Sequence, residues 1–155
     1  MISLFVVVRI RGWAKTRKEI NDTLDMLRLK RNNNCVLLPE TNQYKGMLKK
    51  IKDYVTFGEI DKDTLVELLK KRGKIEGNKN LTLEALKEIT KFDNFEDFAD
   101  ALIKENTSLI RFRKLKPVFR LNPPRKGFKS KRFPFPKGDL GYRGKEINEF
   151  LKRMI

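Results

Sequence analysis

At the start of the chain, residues 2–10 alternate: Ile2, Leu4, Val6, Val8 and Ile10 fall on one face of an extended segment. Ser3, Phe5, Val7, Arg9 and Arg11 fall on the other. A short, β-branched, nearly continuous apolar run of this kind predicts a strand, and Gly12 ends it. The period then changes. Thr16 and Glu19 have the spacing of a capping box, and Ile20, Leu24 and Leu27 recur as one helical stripe. This helix is expected to stop near Lys30, ahead of Asn32, Asn33 and Asn34. Cys35–Leu38 predicts a second strand, closed by Pro39. Thr41 is placed to cap a second helix with Tyr44, Met47, Leu48 and Ile51 inward, and Tyr54–Phe57 predicts a third strand ended by Gly58. Gly46 interrupts the second helix, where glycine costs roughly 1 kcal/mol against alanine. Close packing within the chain is its expected reason, and an approaching RNA backbone the alternative. The order is therefore strand, helix, strand, helix, strand. Helices on one face would cover the apolar side of a small sheet, with the other side left free or covered by later residues.

Further helices are expected from Asp61 or Asp63 (Leu65, Leu68 and Leu69 inward, ending before Gly73), from Thr82, and from Asn94. The last has Phe95, Phe98, Ala99, Leu102 and Ile103 at helical spacing, with Asp97 three residues after Asn94. From Phe112 onward the periodicity fails. Pro117, Pro123, Pro124, Pro134 and Pro136 and Gly127, Gly138, Gly141 and Gly144 are interspersed with Arg and Lys, and with Phe112, Phe119, Phe128, Phe133, Phe135 and Tyr142. Disordered tracts are poor in aromatics, so this one is expected to order against something. A closing helix over Lys145–Met154 would return Ile147, Phe150, Leu151 and Met154 to the core, making the tract a tethered loop.

Charge sharpens this division. The 155 residues carry 36 Lys and Arg against 20 Asp and Glu, a formal +16. Residues 1–58 hold 12 basic and 5 acidic side chains, residues 59–110 hold 9 and 12, and residues 111–155 hold 15 and 3. Two basic blocks around an acidic middle point to a polyanionic partner. Nucleic acid fits better than membrane, because much of the charge lies in Pro/Gly-rich sequence that cannot form a basic amphipathic helix. No histidine is present, which removes His-based triads, His metal sites and a histidine switch. The single cysteine, Cys35, removes an intrachain disulfide and a Cys-rich zinc site. No apolar run approaches the ~20 residues of a membrane span. Met1–Val8 lacks a leading basic region, so no signal peptide is expected.

Catalytic constellations are absent from this reading. Asp61, Asp63, Glu84, Glu96 and Asp97 sit at helix starts, where the helix dipole accounts for them, and the basic C-terminal block offers only Asp139, Glu146 and Glu149. Cys35 lacks a base, and the spacing of Gly138, Gly141 and Gly144 lacks the Lys-Ser/Thr of a phosphate-binding loop. No enzyme, metal or cofactor is expected. Binding chemistry is rich: Arg and Lys neutralise phosphates, and neighbouring aromatics stack on unpaired bases. Four candidate RNA-binding groups emerge. The first is Arg9, Arg11, Trp13, Lys15, Arg17 and Lys18; the second Arg28, Lys30 and Arg31; the third Lys49, Lys50 and Lys52. The fourth lies in the loop: Arg120, Arg125, Lys126, Lys129, Lys131, Arg132, Lys137 and Arg143. A Pro-stiffened irregular loop suits insertion into folded RNA better than a regular DNA groove.

Specific stretches carry a resemblance. Asp25–Arg31 running into Cys35–Leu37, Tyr44–Leu48 and Asp53–Ile60, followed by Phe119–Phe128 and Gly138–Gly144, are similar to the universal L-thirty family of large-ribosomal-subunit proteins. The eukaryotic counterpart is called L-seven, and the absence of a long basic N-terminal arm favours the archaeal form. The resemblance spans essentially the whole chain. Lys30, Asn34 and Asn122 stand where histidine is common in that family, and Phe57 where tryptophan is frequent, so contacts at these positions differ. It implies an α+β fold: a ferredoxin-like βαβαβ unit over 1–58, with an extension over 59–155 that is helical to 110 and then a basic loop and final helix. It also implies a non-enzymatic, cytoplasmic constituent of the large ribosomal subunit that binds large-subunit rRNA and supports assembly. The small rRNA of the same subunit and neighbouring ribosomal proteins are further partners it suggests; a membrane and a small-molecule substrate are not. The alternative from another class is a stand-alone RNA chaperone or nucleoid DNA-binding protein.

Overall fold

A computed structural model describes residues 4–12, 14, 16–105, 112 and 114–155. Within them the N-terminal unit folds as strand β1 (Leu4–Arg9), helix α1 (Lys18–Met26), β2 (Asn34–Pro39), α2 (Asn42–Ile51) and β3 (Val55–Glu59). β1 is central and antiparallel to both neighbours, with Val6 opposite Leu37 on one side and Gly58 on the other. β2 and β3 therefore run parallel with β1 between them, the split arrangement of a ferredoxin-like unit. The chain continues through α3 (Lys62–Arg72), a short hairpin β4 (Lys74–Ile75) and β5 (Lys79–Asn80), α4 (Leu83–Thr90) and α5 (Phe95–Glu105). It closes with β6 (Val118–Arg120), β7 (Gly141–Tyr142), a 3-10 turn (Gly144–Glu146) and α6 (Ile147–Met154).

The alternation in β1 translates into two apolar clusters. Phe5 and Val7 pack with Leu24, Leu27, Leu48 and Ile51 from the α1/α2 side. Leu4, Val6, Val8 and Ile10 pack with Leu65, Leu68, Phe98, Leu102, Ile147 and Phe150 from α3, α5 and α6. The sheet is covered on both faces, the second by the later residues, and the fold is α+β. α6 also closes the start of α3. The carbonyl oxygen of the Asn148 side chain accepts from the Asp61 N–H at 2.8 Å, while its amide donates to the Glu59 carbonyl at 3.2 Å. Asp61 itself makes no side-chain cap.

Several local expectations hold. The Thr41 hydroxyl accepts from the Tyr44 N–H, Thr82 from Ala85, and the Asn94 side chain from Asp97. Others are corrected. The Thr16–Glu19 capping box does not form: α1 begins after Arg17 without a side-chain cap, and the Thr16 hydroxyl donates to the Gly12 carbonyl at 3.2 Å. α1 also stops before Lys30, because Arg28 turns to a positive φ of 65°. Gly58 does not end β3, which runs through it to Glu59. A Cβ at position 58 would lie 2.0 Å from the Gly144 carbonyl oxygen, so glycine there admits the turn that leads into α6. Close packing does not explain Gly46, since a Cβ there would meet nothing within 4 Å. The tract after Phe112 contributes two strands where none was expected: β6 pairs antiparallel with β2 and β7 parallel with β3, completing a sheet of order β6-β2-β1-β3-β7.

Candidate nucleic-acid interface

The sheet register explains how distant cations meet. Pairing of β6 with β2 sets Arg120 opposite Asn34, directly beyond the turn that carries Arg28, Lys30 and Arg31. Together with Lys116 these side chains line an open cleft of about 650 Å³, in which Asp25 is the single acid facing five cations. Two expected groups, the end of the first helix and the start of the basic loop, thus become one surface. Lys116 was not among the expected residues, and no local signal singles it out; only the strand pairing brings it here. A second cleft, of about 370 Å³, joins Arg11 to Lys131 and Arg132 of the loop, with the Arg11 guanidinium 5.0 Å from the centre of the Tyr54 ring. Lys49 and Lys50 stand exposed on α2, with Lys52 just beyond it, and Arg17, Lys18, Arg125, Lys126, Lys129 and Lys137 are also exposed. Trp13 and Lys15 lie outside the described residues.

Two residues expected to touch RNA sit inside the protein. Arg9 is 2% exposed; its Nε donates to the Arg11 carbonyl and its Nη1 to the Leu29 carbonyl at 2.6 Å, fastening the end of β1 to the chain leaving α1. Burial pulls its pKa below the ordinary guanidinium value, with Asp25 opposing. The signal was present in Phe5 and Val7, core residues on the same strand face. Arg143 is 7% exposed and anchors the loop. Its Nε donates to the Thr56 hydroxyl at 2.9 Å and its Nη2 to the Asp139 carboxylate at 3.1 Å, and its guanidinium lies 4.3 Å from the Phe150 ring centre. Burial lowers its pKa as well, and the Asp139 carboxylate counters that.

Asp139 gathers the rest of the loop. Its other oxygen accepts from the backbone N–H groups of Lys129 and Ser130, so one buried carboxylate holds two loop strands and the arginine together. The aromatics divide accordingly. Phe119 is fully buried, Phe128 packs on Phe150, Phe112 on Phe98, and Phe135 lies beside Arg143. Phe133 and Tyr142 remain exposed, at 44% and 53%. The basic side chains of the loop are thus displayed from a scaffold that its own aromatics build.

The acidic middle uses its charge internally: Lys62 pairs with Asp100, Lys70 with Glu96 and Lys71 with Glu67. Cys35 is buried, and burial pushes its thiol pKa far up, which leaves it unreactive. Among the described residues no group of three acidic, cysteine or histidine side chains is placed to hold a metal, and no helix is long and apolar enough to cross a membrane.

The family described as ribosomal protein L30p/L7e matches residues 5–55. Over longer spans the chain is similar to proteins named large ribosomal subunit protein uL30. That of Archaeoglobus fulgidus is 48% identical over 151 residues, 97% of this chain and 99% of the relative. That of Methanosphaera stadtmanae is 49% identical over 153 residues, 98% and 100%. That of Methanococcus maripaludis is 49% identical over 155 residues, 97% and 99%.

Proposed function

This chain belongs to the ribosomal protein L30p/L7e family, and on that footing we propose that it binds large-subunit rRNA through its exposed cations and supports the folding of that RNA during assembly. It is a structural, non-enzymatic constituent of the large ribosomal subunit. The observation that carries the RNA reading is the cleft between α1 and β6, where Arg28, Lys30, Arg31, Lys116 and Arg120 converge with Asp25 as the one opposing acid. Such a concentration of cations is repulsive on its own and is relieved by phosphate, with release of the counterions held by the nucleic acid. Arg11 with Lys131 and Arg132 forms a second phosphate-binding edge. The loop cations Arg125, Lys126, Lys129 and Lys137 form a third. Arg9 and Arg143 act through the fold that they hold together. The small rRNA of the subunit and neighbouring ribosomal proteins are further partners in this reading.

Replacing Arg120, Arg125, Lys126 and Arg132 together with alanine tests it. All four are exposed, so the fold is expected to survive. Affinity for large-subunit rRNA should fall, and the slope of log affinity against log salt should flatten by roughly 0.7–0.9 for each phosphate that is no longer neutralised. Unchanged affinity and slope would show the loop to face protein instead. Sedimentation of tagged protein through a sucrose gradient separates the ribosomal reading from a free RNA chaperone or nucleoid protein: a signal confined to the top of the gradient would sink it.

A further inference from the structure

Helices α1 and α2 do not cover the whole of their face of the sheet. Beyond α2, the edge formed by β3 and β7 carries aromatic rings into an open cleft of about 490 Å³. The register makes this platform: Phe57 and Tyr142 are direct neighbours on the paired strands. Their ring centres are 5.6 Å apart, and Phe5 backs Phe57 edge-on at 5.9 Å. Tyr142 is 53% exposed, an unusual position for a large ring held in a sheet. Its hydroxyl donates to Glu59 Oε1 at 2.5 Å, and this carboxylate pushes the tyrosine pKa up to about 12, so the ring is both oriented and neutral. The other charged groups lining the cleft, besides Glu59, are three lysines and Glu40, so the surplus is cationic. Lys45, Lys49 and Lys52 recur at the three- and four-residue spacing that puts side chains on one helix face, and all three line the cleft. Lys45 is held by Glu40 at 3.2 Å.

We infer that this cleft takes an unpaired nucleobase of RNA, stacked against Tyr142 and Phe57, with the adjoining phosphate held by Lys49 and Lys52. The inference rests on the RNA-binding reading and deepens it by naming a subsite and a ligand form. An apolar aromatic floor asks for a flat ring, and a lysine stripe along one wall asks for an anion beside it. A nucleotide offers both within one unit, whereas a hydrophobic peptide would leave the lysines unmatched. Stacking of a base on an aromatic side chain tolerates any base identity, so the site reads an unpaired conformation before it reads sequence. The hydroxyl-to-carboxylate bond from Tyr142 to Glu59 keeps the ring from swinging over the cleft.

The test uses the full chain and two probes of equal length. One is a short single-stranded RNA of mixed sequence with a fluorescent purine analogue at its centre, whose emission falls on stacking. The other is the same backbone made abasic. The wild-type chain should bind the base-bearing RNA more tightly and quench it. Phe57→Leu and Tyr142→Leu, which keep apolar volume, should abolish the quench and weaken that RNA by about ten-fold, while leaving the abasic probe unchanged. Lys49→Gln with Lys52→Gln should weaken both probes. Equal binding of both probes by wild-type chain, without quenching, overturns the pocket and leaves the RNA-binding reading standing. Failure to bind either probe overturns the pocket; the RNA-binding reading falls only if large-subunit rRNA is not bound either. Weaker binding of the abasic probe by leucine variants whose circular dichroism matches the wild-type chain would show that the rings do not act on a base and refute the assignment.

Discussion

Gly58→Ala is expected to damage the protein far from its own strand. The added Cβ would stand 2.0 Å from the Gly144 carbonyl oxygen and 2.9 Å from Ile147 Cγ2. The first clash is with backbone, so no rotamer change relieves it, and one segment must withdraw by more than an ångström. The segment free to withdraw is the turn at Gly144, because β3 is held by β1 along its length. Withdrawal drags on α6, whose Ile147, Phe150, Leu151 and Met154 are at most 1% exposed. It also disturbs the hydrogen bonds by which Asn148 joins Glu59 and Asp61. Overpacking of this kind costs typically 1–3 kcal/mol, and the rigid backbone clash places this case near ~3 kcal/mol. For a chain of this size that lowers Tm by roughly 6–12 °C. Urea unfolding followed by circular dichroism measures the loss, and limited trypsin digestion locates it. Cleavage should appear first among the loop cations between Arg120 and Arg143, since α6 tethers their far end. A wild-type urea midpoint, or early cleavage confined to other segments, would refute the view that Gly58 is present to admit the Gly144 turn.

Other substitutions read other interactions. Gly46→Ala should stabilise the isolated chain by about 1 kcal/mol in urea titration, because the new methyl meets nothing within 4 Å and the helix interior favours alanine. Arg143→Met leaves the Asp139 carboxylate buried without its cation and should cost about 3–5 kcal/mol; adding Asp139→Asn should recover part of it, measured as a double-mutant cycle. The Tyr142 hydroxyl titrates near 12 when folded and near 10 in model compounds. Its contribution is therefore complete below the unfolded value and is lost as pH rises through the folded one. Tyr142→Phe should remove that part of the alkaline decline between about pH 10 and 12, read as urea midpoint against pH.

What could be read from the chain alone follows the range of the interaction concerned. The two faces of β1 were legible because strand alternation is written residue by residue, and Thr41, Thr82 and Asn94 because a cap spans one helical turn. Thr16 misled for the same reason: the box pattern is local, but its hydroxyl found the Gly12 carbonyl first. β6 and β7, of three and two residues, carry no period of their own and exist through pairing with β2 and β3. The candidate site divides likewise. Charge segregation announced the basic loop and the end of α1, but the cleft that unites them depends on Arg120 facing Asn34. Arg9 and Arg143 counted as surface charges in a composition, yet both spend their hydrogen bonds inside.

The two outermost strands carry a further consequence for how this protein is made. Both flanks of the N-terminal sheet are completed by residues near the other end of the chain: Val118–Arg120 beside β2 and Gly141–Tyr142 beside β3. During vectorial synthesis the first fifty-nine residues emerge with two unsatisfied strand flanks, and these stay open until β6 and β7 have followed. Such distant pairings are intrinsically slow to close. The finished fold, and the cationic cleft that Arg120 completes, therefore wait on segments far downstream of the strands they flank.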